Sequence, residues 1–101
     1  MIGDENTLRR AIKERYLLDF TYSGQPRTVL PMAFGRAHNG TWKLRAMQVA
    51  GGSVSGHVGD NFPKLFDLDQ MHSVTINVTS FDVPDTYMTG DKGFSHIDCE
   101  L

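Results

Sequence analysis

Basic and aromatic side chains alternate in the first half of the chain, and such a pattern could bind phosphate groups. Five basic residues would form one patch if neighbouring strands brought them together: Arg27, Arg36, His38, Lys43 and Arg45. Tyr22 and Phe34 could then stack on bases, as aromatic residues do in small barrels that bind single-stranded nucleic acid. The alternative is structural, because Asp67 and Asp69 of a later predicted strand could neutralise the same cations.

Residue types that carry catalysis or hold metals lack the spacing that such sites need. No zinc-ligand spacing joins the four histidines: His38, His57, His72 and His96. His96 and Cys99 form an H-x-x-C pair, but two ligands do not make a metal site. No serine lies in a nucleophile elbow, and Asp67 and Asp69 lie beside cations that favour salt links over catalysis. We therefore predict a non-enzymatic protein without a metal or other cofactor.

The composition predicts one small domain. The chain has 101 residues, and the 40% that are hydrophobic suffice for one modest core. A net charge of −2 creates no bulk positive field for nucleic acid, so any basic patch must be local. The single cysteine, the absence of a signal-like segment and the absence of a long apolar run predict a cytoplasmic protein without membrane contact.

The spacing of apolar residues predicts one helix followed by five strands. Leu8, Ala11 and Ile12 recur at helical spacing within residues 7–15. This helix is too short to be stable alone, so its apolar stripe must dock on the rest of the fold. Alternation of apolar and polar residues predicts strands at 18–22, 27–30, 42–49, 65–68 and 74–78.

Glycine and proline mark the predicted connections. A turn is expected at residues 23–26, and Asn39-Gly40 predicts the hairpin turn before the Trp42 strand. Pro31 should end or bulge its strand, because proline has no N–H to donate. Residues 51–59 contain four glycines, but no GK[ST] follows, so a loop or twisted hairpin is favoured over a phosphate cradle.

These elements predict a mainly β fold, a small antiparallel barrel of five strands with one N-terminal helix. The barrel domain should span residues 1–81. Residues 82–101 are rich in proline, glycine and aspartate, and are expected to be a loosely structured tail. Six residues are predicted to fill the barrel: Phe20, Trp42, Leu44, Phe66, Leu68 and Ile76.

The order of these elements resembles that of a WYL domain. The similar segments are residues 8–15 leading into 18–22, 30–35, 42–44 at the place of the Trp-Tyr-Leu triplet, and 65–74. The resemblance covers about residues 8–81, and it implies an SH3/Sm-like barrel. WYL domains usually follow a DNA-binding helix-turn-helix in transcription factors, where they sense ligands such as nucleotides or single-stranded nucleic acid. Because no helix-turn-helix precedes Leu8, we expect a stand-alone regulatory module.

The chain departs from the WYL pattern at the residues thought to hold the family's ligand. Lys43 occupies the tyrosine position of the triplet, while Asp67 and Gln70 replace expected arginines and Lys64 keeps its positive charge. A carboxylate would repel the phosphate that an arginine should hold. One hypothesis is therefore a surface charge ladder, in which Lys43 and Arg45 pair across strands with Asp67 and Asp69.

The sequence thus predicts a ligand-sensing domain that binds a small anionic ligand, such as a nucleotide, or single-stranded nucleic acid. Five residues are expected to form the ligand site: Lys43, Arg45, Lys64, Arg36 and Tyr22. The alternative is an oligomeric interaction module whose ligand site has been lost. Its partner would be another protein or further copies of the chain, joined through exposed edge strands.

Overall fold

The fold is one helix packed on an antiparallel sheet. The computed structural model describes residues 4–51, 63–84, 87 and 89–101. Its elements are α1 (Asp4–Glu14), β1 (Tyr16–Tyr22), β2 (Gln25–Ala37), β3 (Trp42–Gly51), β4 (Lys64–Asp67), a 3₁₀-helix (Leu68–Gln70), β5 (Met71–Ser80) and β6 (Phe94–Glu100). The predicted mainly β class with one N-terminal helix is confirmed. The sheet has six strands among the described residues, where the sequence predicted five.

Strand β2 is the centre of the sheet. The strands follow the order β4-β3-β2-β1-β5, and β6 also pairs with β2. Because β3 pairs along most of β2, the opposite edge of β2 is shared by β1 near its start and β6 near its end. The β2–β3 ladder shifts register between Pro31 and Ala33. This shift confirms the bulge predicted from Pro31, which cannot donate to a ladder.

The sheet curls so that its two terminal strands approach each other. β4 and β5 stand at opposite ends of the strand order, yet only the three-residue 3₁₀-helix Leu68–Gln70 connects them. The Tyr22 hydroxyl at the end of β1 also accepts a hydrogen bond from the Asp67 N–H, at 3.1 Å. No ladder joins β4 to β5 within the described residues, so the sheet is not closed and the SH3/Sm-like barrel stays a prediction.

The C-terminal strand β6 corrects the predicted tail. Residues 94–100 were expected to be loosely structured, but they pair with β2 from Ala33 to Ala37. Gly35 permits this approach, because a Cβ there would lie 2.2 Å from the His96 carbonyl oxygen. An ion pair of 2.6 Å between Arg9 and Asp98 also ties β6 to the helix.

Helix α1 covers the core with the stripe that its sequence predicts. Leu8 and Ala11 are fully buried and Ile12 is 1% exposed, so the predicted docking is confirmed. The helix contacts β1, β2, β5 and β6. It ends at Glu14, and Arg15 takes a positive φ of 60° that helical residues do not adopt. In the described part of the chain, no helix has the length and apolarity needed to cross a membrane.

The core contains most of the predicted residues. Phe20, Leu44, Phe66 and Leu68 are buried as expected. Trp42 and Ile76 are only partly buried and pack against the core from its edge. The sequence interpretation had left out further buried residues: Leu18, Val29, Phe34, Met71 and Cys99.

The two predicted hairpin turns connect consecutive strands. Ser23 and Gly24 both have positive φ, of 53° and 73°, in the two-residue turn between β1 and β2. Such a turn matches the natural twist of paired strands. Gly40 has a φ of 86° in the turn between β2 and β3, as the Asn39-Gly40 pair predicted. From residue 52 onward, the predicted glycine-rich loop lies outside the described residues.

Candidate anion-binding site

The side chain of Arg27 lies on the core side of the sheet and not on its solvent-exposed side. Arg27 pairs with Phe20 of β1 and with Gly51, the last residue of β3. Side chains of directly paired residues share a face of the sheet, and Phe20 belongs to the core. Arg27 accordingly is only 6% exposed, which is unusual for an arginine.

Two aromatic rings hold the Arg27 guanidinium. Its central carbon lies 5.2 Å from the ring centre of Tyr22 and 5.8 Å from that of Phe66. The two rings meet edge to face, with their centres 5.0 Å apart. Each such cation–π contact contributes about 0.5–2 kcal/mol, depending on desolvation. The rings therefore fix the position of the cation without neutralising its charge.

The polar partners of Arg27 are few. Nη1 donates to Oε1 of Gln48 at 3.4 Å, and Gln48 is itself only 3% exposed. The Nε atom of Arg27 is buried and has no hydrogen-bond partner among the described residues. Among the described residues, none of the recorded ion pairs involves Arg27. A guanidinium carries five N–H donors and no acceptor, so this buried cation has donors that the described residues leave unused.

The predicted site residue Tyr22 contributes to this cluster, and its hydroxyl serves the fold. The hydroxyl accepts the Asp67 N–H, while the ring packs edge to face against Phe20 at 6.2 Å and Phe66 at 5.0 Å. These contacts fix the ring beside Arg27. Tyr22 is therefore a wall of the Arg27 site rather than an open surface on which a base could stack.

The predicted site residue Lys43 forms an ion pair instead of standing free. Lys43 pairs directly with Asp67 across the β3–β4 ladder, and its Nζ lies 3.1 Å from Oδ1. This contact is the one that the charge-ladder hypothesis predicted for Lys43. Both side chains keep solvent access, 21% for Lys43 and 43% for Asp67, so water screens much of the attraction.

Arg45 is also neutralised, but by a residue other than the one expected. Its Nε and Nη2 donate to the two carboxylate oxygens of Asp91, at 2.6 and 3.2 Å. The hydrogen bonds from Arg45, followed by the N–H of Gly93, hold the pKa of Asp91 below its usual range. The expected pairing with Asp69 is wrong, since the partner comes from the segment before β6.

Arg36 and Lys64 lie apart from the other predicted site residues. The Arg36 guanidinium lies over the ring of Trp42 at 5.2 Å, and that ring stacks on Phe34 at 5.1 Å. Lys64 begins β4, where it pairs with Ala46 of β3. Neither residue lies in the cluster of Tyr22, Phe66 and Arg27.

The single basic patch predicted from the sequence is not formed. Arg27 and Arg36 belong to β2 but lie nine positions apart, about 30 Å along an extended strand. Lys43 and Arg45 alternate with the buried Leu44, so they point to the opposite face of β3. His38 lies in the turn after β2, where its Nε2 is 3.0 Å from the Lys92 carbonyl oxygen. The strand period thus divides the basic residues among different faces and ends of the sheet.

A groove of about 470 Å³ lies beside Arg45. Its lining combines residues of β2 and β3, the residue before β4 and the segment before β6: Met32, Arg45, Pro63, Tyr87, Thr89, Gly90, Asp91 and Lys92. The Tyr87 hydroxyl donates to Glu100 at 2.8 Å, and burial followed by this hydrogen bond raises the pKa of Tyr87. Arg45, Asp91 and Tyr87 of the groove thus already have charged or hydrogen-bonded partners, in contrast to the Nε of Arg27.

The described residues offer little for metal or thiol chemistry. They contain no group of three or more His, Cys, Asp or Glu side chains that could hold a metal ion. Cys99 is 8% exposed, and burial raises the pKa of its thiol. A buried thiol with a raised pKa is a poor nucleophile, because the thiolate is the reactive form.

Only part of this site was visible in the sequence. Tyr22 was one of the five predicted ligand-site residues, whereas Arg27 was named only as a member of the basic patch and not of that site. Gln48 was missed, although it lies in a predicted strand at an even spacing from Leu44 and Ala46. Comparison of the chain with family models, with curated proteins and with solved structures gave no match.

Proposed function

We propose that this chain is a non-enzymatic, WYL-like sensing domain that binds a small anionic ligand, such as a nucleotide, at Arg27. The observation that carries the proposal is a buried guanidinium, 6% exposed, which within the described part of the chain has one hydrogen bond, of 3.4 Å, and an Nε without a partner. A regulatory role rests on the resemblance of residues 8–81 to WYL domains.

The energetics of Arg27 favour an anion as the missing partner. Burying an ion without a counter-charge costs several kcal/mol, which two cation–π contacts offset only in part. A carboxylate or phosphate would receive charge-assisted hydrogen bonds in a region of low dielectric, where such bonds are strongest. An arginine used only for packing could be replaced by an apolar residue at a gain in stability, so its presence points to a ligand.

The other cations favour a compact ligand over an extended strand. Lys43 and Arg45 already pair with Asp67 and Asp91, and they occupy the face opposite to the core. An oligonucleotide needs a row of unpaired cations along its backbone. A mononucleotide or similar anion needs only one strong donor for its phosphate, and Arg27 supplies that donor.

Calorimetric titration at low salt tests this proposal with three probes, namely AMP, inorganic phosphate and a single-stranded DNA of about ten nucleotides. We expect AMP to bind, and Arg27→Gln to weaken its binding at least about tenfold, because a charge-assisted hydrogen bond contributes about 1.5–3 kcal/mol. Arg10→Gln is the matched control, because Arg10 is an exposed arginine that pairs only with Glu14 in the described structure.

The control and a second variant separate loss of binding from loss of folding. Arg27→Met keeps a long side chain between the rings of Tyr22 and Phe66, so it should fold and fail to bind AMP. Equal AMP affinity in the wild type, Arg27→Gln and Arg27→Met would refute the Arg27 site. Tight DNA binding with a steep salt dependence would instead show that the ligand is a nucleic acid.

A further inference from the structure

Strand β5 forms an open edge of the sheet. It ends the strand order and pairs only with β1 among the described residues. An unpaired edge presents a row of backbone N–H and C=O groups that can pair with another chain. The Thr79 N–H is not available for such pairing, since it donates to Oδ1 of Asn77 at 3.0 Å.

The composition of β5 lacks the charges that normally protect an edge. Its ten residues, MHSVTINVTS, include no lysine, arginine, aspartate, glutamate or proline. Natural proteins usually place such residues on long edges to prevent pairing. Val78 is 84% exposed and is the most exposed large hydrophobic residue among those described. An edge of this kind indicates a surface that is covered in the working form of the protein.

The sequence of β5 is nearly palindromic about Ile76. Reading outward from Ile76, Thr75 is matched by Asn77 and Val74 by Val78. The next two matched pairs are polar and uncharged: Ser73 with Thr79, and His72 with Ser80. An antiparallel pair of identical strands places residue i of one strand opposite residue j of the other, and j opposite i. Self-pairing centred on Ile76 would therefore put similar side chains opposite each other throughout.

We propose that β5 pairs antiparallel with β5 of a second copy of this chain, with the two-fold axis at Ile76. The pairing joins the two sheets into one and places the exposed Val78 opposite Val74 of the second copy. The centre of the palindrome coincides with the regular part of the β5–β1 ladder, where Asn77, Ile76 and Thr75 face consecutive residues of β1. The register shifts of that ladder lie toward its two ends.

The strand of the second copy that fits β5 best is its β5 and not its β4, which forms the other edge of the sheet. β4 is only four residues long and carries Lys64 and Asp67, whereas β5 offers ten residues and no charge to complement them. Pairing β4 with β5 of another copy would leave most of β5 uncovered and would generate an open chain or a ring. Pairing β5 with itself stops at two copies.

Sedimentation velocity over a range of protein concentrations tests the pairing, with Val78→Lys as the disrupting variant. We expect the wild type to be a dimer and Val78→Lys to raise the dimer dissociation constant at least about tenfold, because a cation replaces a buried apolar contact. Val49→Lys is the matched control, since Val49, on β3, is also an exposed large hydrophobic residue, at 42%. It should dimerise like the wild type.

The register of the proposed β5–β5 pairing can be measured directly in the wild-type protein. Isotope-filtered NOE spectra of a mixture of labelled and unlabelled protein should show contacts between Val74 of one copy and Val78 of the other. A monomer at all concentrations, a dimer that Val78→Lys leaves intact, or a trimer or larger ring would each overturn the proposal. If Val78→Lys were misfolded by circular dichroism, Thr75→Lys would replace it, because Thr75 is also exposed on β5.

Discussion

Lys43 and Asp67 face each other across the β3–β4 ladder, with 3.1 Å between Nζ and Oδ1. From the sequence, Lys43 was expected to contribute to a ligand site, and Asp67 was expected to repel an anionic ligand. These two side chains neutralise each other here. Because Lys43 is paired with Asp67, we place the proposed anion site at Arg27 on the core side of the sheet and not on the outer face.

Lys43→Ala is expected to change stability only slightly and to leave AMP binding intact. A cross-strand charge pair with this much solvent access contributes about 0.2–1 kcal/mol. Urea unfolding of Lys43→Ala, Asp67→Ala and the double variant measures the coupling, and calorimetry measures AMP affinity. Loss of AMP binding in a folded Lys43→Ala protein would show that the outer face, and not Arg27, holds the ligand.

The partner of Arg45 illustrates what the sequence could predict of the site. Alternation of apolar and polar residues placed Arg45 on the outer face of β3, and the need for a carboxylate partner was anticipated. The identity of that partner depends on where β6 pairs, which no local pattern encodes. Asp91 lies 46 positions from Arg45 and reaches it only because β6 follows the edge of β2.

The Arg45–Asp91 pair should stabilise the protein above about pH 4 and lose its effect in acid. The pKa of Asp91 is lower in the folded protein than its ordinary value of 3.8. Its stabilisation is therefore complete above that value and disappears as the pH falls through the folded pKa. Asp91→Asn should lower the free energy of unfolding by about 1–3 kcal/mol at pH 7, with a smaller difference in acid.

The control for this prediction is Asp69→Asn, which removes an equal charge from an exposed site in the 3₁₀-helix Leu68–Gln70. Urea unfolding of the wild type and both variants between pH 2.5 and 7 gives the comparison. A difference between wild type and Asp91→Asn that does not change with pH would contradict the ion-pair account, because only the ionised carboxylate accepts both hydrogen bonds.

The strands that the sequence predicted are those with regular alternation. β6 was missed because the period of two is interrupted: Phe94 and Ile97 are three positions apart, and only Ile97 and Cys99 are spaced by two. The structure explains the irregular spacing, since the β2–β6 ladder shifts register twice within five paired residues. A strand with bulges loses the period that sequence analysis depends on. Gly35 of β2 permits this pairing, but nothing in the sequence around it indicated that another strand would approach there.

Gly35→Ala should detach β6 from β2. The added Cβ would lie 2.2 Å from the His96 carbonyl oxygen and 2.9 Å from the Ile97 Cα, and neither backbone atom can move aside alone. We expect the free energy of unfolding to fall by about 1–3 kcal/mol, the usual cost of overpacking. Hydrogen exchange should show faster exchange of the β6 amides and of the Leu101 N–H, which donates to the Met32 carbonyl.

Gly24→Ala is the control for the effect of any added methyl group. Gly24 has no atom within 4 Å of its ideal Cβ, but its φ of 73° strains an alanine. This variant should lose about 1–2 kcal/mol without faster exchange in β6. Equal β6 protection in Gly35→Ala and the wild type would show that β2 and β6 can separate slightly without losing their ladder.

Arg27 shows the limit of sequence reasoning about burial. An arginine between Pro26 and Thr28 looks like a solvent-facing residue of a strand edge, and a surface position is the common one for arginine. Its burial follows from the pairing of β2 with Phe20 of β1 and with Gly51 of β3. Tertiary pairing alone decides that the side chain lies between two aromatic rings.

Arg27→Met should leave the stability of the ligand-free protein unchanged or raise it by up to about 2 kcal/mol. Replacing buried ions by apolar residues of similar volume is often neutral or stabilising, and methionine can keep contact with both rings. In the wild type, AMP at a hundredfold excess over its dissociation constant should add about 2.7 kcal/mol to the free energy of unfolding. The same AMP concentration should add almost nothing to Arg27→Met. Urea unfolding with and without AMP gives both quantities. If Arg27→Met instead lowered the free energy of unfolding of the ligand-free protein by more than about 2 kcal/mol, Arg27 would be a structural residue. Removing a buried charge whose partner is a ligand should not destabilise the ligand-free protein.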